Sequence, residues 1–113
     1  MSNQTLLLSE RLQNGHDYLA SHKWCRGAYA MDAAGNDIVY SRNVNDSCAV
    51  CAMGAYYIAN GLPFGKATGG ADKAMFDAIG EPMAYFNDNI AHDKRDVLRK
   101  FRIAIRAAKR LGN

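Results

Sequence analysis

The chain has no long hydrophobic run. Its longest uncharged stretch, residues 47–65, is broken by Ser, Asn, Pro, three glycines and two tyrosines, a poor composition for a membrane span. The opening "MSNQTLLLSERL" has only three leucines between polar residues and no basic start, so it does not read as a signal peptide. A cytoplasmic, non-membrane protein is the expectation. Cysteine is also scarce: three residues, an odd number, point to reduced thiols rather than a disulfide framework. No internal repeat, heptad array or low-complexity tract occurs. Helix-turn-helix, RNP-type and zinc-finger signatures are missing too, so any contact with nucleic acid is expected at the backbone rather than the bases.

What is present suits one ordinary globular domain. A length of 113 residues, 49% hydrophobic and 22% charged, is enough to bury one core and too short for two. We expect a single domain over residues 1–113, α+β in class, with three to four helices packed on a two-stranded antiparallel hairpin. Residues 4 to 20 have leucines near helical spacing, with Ser2 or Asn3 as a cap and Gly15 as a possible break. "GAYAM" and "DIVY", separated by "DAAGN", read as the hairpin. Asn45, Asp46 and Ser47 are good caps for a helix from about 47 to 59, which Asn60 and Gly61 would stop. "LPFGKATGG" has the composition of a loop, and "ADKAMFDAIG" that of a short helix. "MAYFND" reads as extended or as an Asx-type turn.

A last helix is expected from about Asp93 to Leu111. Val97, Phe101, Ala104, Ala108 and Leu111 form its apolar stripe. Net charge is only +3, yet eight of the fourteen basic residues fall in the last twenty positions. Arg95, Arg99, Arg102, Arg106 and Lys109 share one helical face. Such a ridge is either solvated surface, balanced in part by Asp93 and Asp96, or a surface for phosphates or an acidic protein.

"SCAVCAMGAYYIANG", Ser47 to Gly61, carries a C-x-x-C. With "HKWC" it yields four possible zinc ligands, His22, Cys25, Cys48 and Cys51, although an apolar, helical "CAVC" is unlike a zinc knuckle. A redox pair is disfavoured because no strand of a βαβ unit runs into it. A nucleophilic cysteine would use the helix start to favour its thiolate, with His16, His22 or His92 as base and Asp32, Asp88 or Asp93 as orienter. The simplest reading makes Cys48, Cys51, Ala52, Ala55 and Ala59 a small-residue stripe for close packing.

Three pieces of sequence together resemble an uncharacterised family of small bacterial and phage proteins. They are "WCRGAYAMDAAG", "CAMGA" and "FND" ahead of a helix that starts with Val97 and Leu98. The family pattern is W-x-(Q/R)-G-x-x-A-x-D-x-x-G, then C-A-x-G-A, then (W/F)-N-D. Trp24, Arg26, Gly27, Ala30, Asp32, Gly35, Cys51, Ala52, Gly54, Ala55, Asn87 and Asp88 occupy its places. The resemblance implies architecture more than activity. It singles out Cys51 over Cys25 and Cys48, and includes none of the three histidines.

Through phage membership, the resemblance also implies a protein that acts by binding. The functional expectation is therefore a non-catalytic modulator or inhibitor of a host complex, of the anti-defence or anti-CRISPR kind, using the basic C-terminal helix. Its partner would be a protein or another anionic surface such as a nucleic-acid backbone, and no cofactor is expected. The alternatives are a cysteine-dependent enzyme centred on Cys51 with Asp88, and a small zinc-binding domain.

Overall fold

Helix α1, Leu8–Ala20, lies between two other helices and supplies much of the core through Leu8, Leu12 and Leu19. The computed structural model describes residues 6–38, 47–65 and 71–113. Within them α1 is capped at Leu7, whose backbone N–H donates to the Glu10 carboxylate at 2.7 Å; Ser2 and Asn3 lie outside the described residues. Gly15 does not break the helix. It lets α1 approach the next helix closely: a Cβ there would stand 3.1 Å from Tyr56 Cα and 3.3 Å from the Phe101 ring.

The sheet is small and mixed. β1, Lys23–Trp24, runs parallel to β3, Ala49–Val50, while β2, Ala30–Met31, pairs antiparallel to β3 on its other side. The expected turn over "DAAGN" forms, with the Asp32 carboxylate accepting from the N–H groups of Ala34 and Asn36, both at 2.9 Å. Beyond it the returning chain bridges Met31 to Asp37, and the Ile38 N–H donates to the Ala30 carbonyl at 2.8 Å; Val39 and Tyr40, the rest of the expected arm, lie outside the described residues. The sheet gains a strand that was not expected: β3, between β1 and β2, comes from residues expected to be helical.

Helix α2, Ala52–Ala59, therefore starts later than the sequence suggests. Its cap is Cys51, whose sulfur accepts the Gly54 N–H at 3.3 Å. Ser47 and Cys48 precede β3, and the chain enters the helix directly from the sheet. The expected stripe is also revised: Cys48 is off the helix, and Ala52 through Tyr57 are all buried, as in a helix covered on most sides.

Helix α3, Ala71–Ile79, packs on the last helix. The segment expected to be extended or a turn is helical: α4, Met83–Tyr85, runs into a π-helical turn, Phe86–Ile90. The last helix, α5, Lys94–Arg110, begins at Asp93, whose carboxylate accepts from Asp96 N–H at 3.1 Å. Its apolar stripe is buried at Val97, Phe101, Ala104 and Ala108, whereas Leu111 is 75% exposed just past its end. The fold is α+β, with five helices around the small sheet. Among the described residues no helix is long and apolar enough to cross a membrane.

Candidate functional site

Helix α5 separates its cations by task. Lys94 faces inward, its ammonium donating to the carbonyls of Ala20 at 3.2 Å and His22 at 2.8 Å, so it neutralises the C-terminal end of α1. Lys100 lies over the Phe86 ring, 5.0 Å from its centroid. Arg95, Arg99, Arg102, Arg106 and Lys109 are all exposed. At 1.5 Å per residue they extend along ~21 Å of helix.

Among the described residues, charge along that ridge is balanced only at its start. Arg95 reaches Asp93 at 3.5 Å and Arg99 reaches Asp96 at 3.1 Å. Asp96 also accepts from His92 N–H, a bond that, with Arg99 beside it, holds its carboxyl below the usual carboxylate range. Among the described residues Arg102, Arg106 and Lys109 have no carboxylate partner; Arg102 instead approaches His16 Nε2 at 3.3 Å. Lys109 suits the negative end of the helix dipole, but Arg102 and Arg106 lie before the last turn and receive little from it.

Away from the ridge, the three pieces of sequence singled out above meet at one junction. Its centre is Asn87, fully buried in the π-helical turn. The Asn87 Oδ1 accepts from the Trp24 indole N–H at 2.7 Å and from Ala52 N–H at 3.0 Å. Its Nδ2 donates to the Cys25 carbonyl at 3.1 Å and to Asp88 Oδ1 at 2.9 Å. One amide thus ties β1, the start of α2 and the π turn together. Asp88 Oδ1 accepts a second bond, from Gly27 N–H at 3.1 Å, where φ is +80° and a side chain would be strained. The Arg26 guanidinium stacks over Trp24 at 4.7 Å and donates to the Ala91 carbonyl.

Gly54 completes the junction by being small. A Cβ there would lie 1.9 Å from the Tyr29 carbonyl oxygen, which also accepts the Cys51 N–H at 3.1 Å. Most of the motif residues are therefore accounted for by packing and hydrogen bonding.

Beside the junction is a cavity of about 320 Å3 that Cys51 and Asp88 both line. The structure thus brings together the two residues considered for catalysis, without supplying a base. No histidine is among the described residues that line the cavity. His16 is at Asp17 and Arg102, and His22 stacks on Tyr18 with Nδ1 2.7 Å from the Tyr18 carbonyl. Burial pushes the Cys51 thiol up to about 11, so it is neutral near pH 7. The position expected to favour a thiolate does not do so, because burial outweighs the helix amides at the sulfur.

The four residues considered for zinc are likewise separated by role. Cys48 is exposed, Cys25 and Cys51 are buried, and the His22 ring is engaged with Tyr18. Among the described residues no group of three or more His, Cys, Asp or Glu is placed to hold a metal ion. Asn87 stood in the family pattern, but the sequence assigned it no role of its own. The only signal was its place beside Asp88 in "FND".

A model of a family of unknown function, DUF6197, matches residues 4–107. The chain belongs to that family. No curated protein and no solved structure matches this DUF6197 chain. The matched span contains the whole junction and most of α5, including four of the five ridge cations.

Proposed function

We propose that this DUF6197 protein is a non-catalytic binding protein whose recognition surface is the basic ridge of α5. The observation that carries this reading is that Arg102, Arg106 and Lys109 have no carboxylate partner among the described residues. Surface cations that serve only solubility need no common face, and those that serve the helix dipole belong in its last turn. Exposed guanidinium groups in a row suit carboxylates or phosphates, which they can bind in a bidentate fashion. The favoured partner is an acidic protein face, reached by displacing or imitating another ligand of a host complex. A phage-type modulator would act in this way, by occupation without chemistry.

The test is a pull-down from host cytoplasm with wild-type protein and with the triple variant Arg99→Glu, Arg102→Glu, Arg106→Glu as baits. A partner retained by the wild type should be lost from the variant while both baits melt at similar temperatures. Nuclease treatment of the lysate separates a protein partner, which persists, from nucleic acid, which does not. Equal capture by both baits would sink the proposal.

A further inference from the structure

The cavity beside the junction has a chemical character opposite to that of the ridge. Among the described residues its wall includes two exposed carboxylates, Asp37 and Asp88, and no lysine, arginine or histidine. Much of the remainder is apolar, from Ile38, Ala84 and Cys51, with Tyr29 at the side. Asp88 uses Oδ1 for Gly27 and Asn87, and among the described residues its Oδ2 has no partner. Neither Asp37 nor Asp88 takes part in an ion pair among the described residues.

The neighbouring thiols register this field. The Cys25 thiol is pushed up to about 12, by burial first and then by charge at Cys51, Asp88 and Asp37, and Asp88 also raises Cys51. The Arg26 guanidinium, next in sequence to lining residue Gly27, is engaged by Trp24 and the Ala91 carbonyl.

We propose that this cavity binds a small organic cation, an ammonium or guanidinium group on a short alkyl stem. Unpaired carboxylate oxygens would take the charge, while Ile38, Ala84 and Cys51 would cover the stem. A divalent metal suits the site poorly, since calcium and magnesium require six or more oxygen ligands and much of this lining is hydrocarbon. A volume of about 320 Å3 lies at the small end of ligand pockets, the scale of an alkyl amine rather than a nucleotide. The walls are unusually well fixed: Asp88 by two hydrogen bonds, Cys51 by its cap, and the Tyr29 backbone by its bond from Cys51. The same chemistry could arrive as a free amine or as an arginine side chain of a partner. The inference is independent of the ridge.

The test is an amide NMR titration of the full chain with agmatine, a Gly-Arg-Gly peptide, butyrate and 1-butanol. Saturable shifts at the amides of Gly27, Tyr29 and Asp88 should appear with agmatine or the peptide and not with butyrate or butanol. Tighter binding of agmatine indicates a free amine, and tighter binding of the peptide a partner's arginine. The double variant Asp37→Asn, Asp88→Asn should weaken binding by about tenfold. The side-chain amide oxygen that Asp88→Asn introduces can still accept the Gly27 N–H, and retained amide dispersion will show that the fold survives. No saturation with either cation, an equal response to butanol, or unchanged affinity in the folded double variant would overturn the inference.

Discussion

Asn87 and Gly54 carry more of the architecture than any residue with obvious chemistry. Replacing Asn87 by Ala would leave the Trp24 indole N–H, the Ala52 N–H and the Cys25 carbonyl without their buried partner. At about 1–3 kcal/mol for each buried polar group left unsatisfied, a loss of about 3 kcal/mol or more is expected in urea denaturation. Gly54→Ala tests the packing in a different way. Helix propensity alone would favour alanine by about 1 kcal/mol. The Tyr29 carbonyl oxygen, 1.9 Å from the new Cβ, reverses that sign, and the variant should be strongly destabilised. A Gly54→Ala protein as stable as wild type would show that α2 and the Tyr29 backbone do not pack as described.

At the scale of elements, long periodic patterns were legible and short ones were not. Helix α5 could be read from its apolar stripe and from Asp93, because seventeen residues repeat the period several times. Asp93→Ala should cost about 1 kcal/mol by removing the cap, measurable as a lower melting temperature. The start of α2 was misjudged because β3 has only two residues, too few to alternate, and because good capping residues stood just upstream. Cysteine is a weak cap, and only the sheet on one side and the buried helix on the other give Cys51 that role. The π-helical turn was hidden for a related reason. Its anchor, Asn87, is satisfied by Trp24 and Cys25, more than sixty positions away, and by Ala52, thirty-five away. The candidate site divides in the same way. The ridge follows from local spacing, whereas the cavity exists only because distant segments meet.

For the whole molecule, the buried thiols set a limit on stability at alkaline pH. Burial raises Cys51 from 9.0 to about 11 and, with nearby negative charge, Cys25 from 9.0 to about 12. Above pH 9 the unfolded chain therefore loses these protons while the folded chain keeps them. Stability should fall as pH rises from 9 towards 11, with a slope approaching 1.4 kcal/mol per pH unit for each thiol. Denaturation series on Cys25→Ala and Cys51→Ala should each show a shallower decline than wild type. Iodoacetamide at pH 8 should modify Cys48 first, since Cys25 and Cys51 are buried, and reach the other two on unfolding.

Charge is distributed across the whole molecule in a comparable division. Carboxylates line the cavity at the junction, and exposed cations lie along α5. The proposed function depends on the position of those cations rather than on their number, and two baits of equal net charge separate the possibilities. One carries Arg102→Glu and Arg106→Glu on the ridge. The other carries Lys23→Glu and Lys73→Glu, exposed positions on β1 and α3. Both lower the formal net charge from +3 to −1. Quantitative pull-down from host cytoplasm should show the partner lost from the ridge bait and kept by the other. Equal retention, or equal loss, would contradict recognition through the ridge.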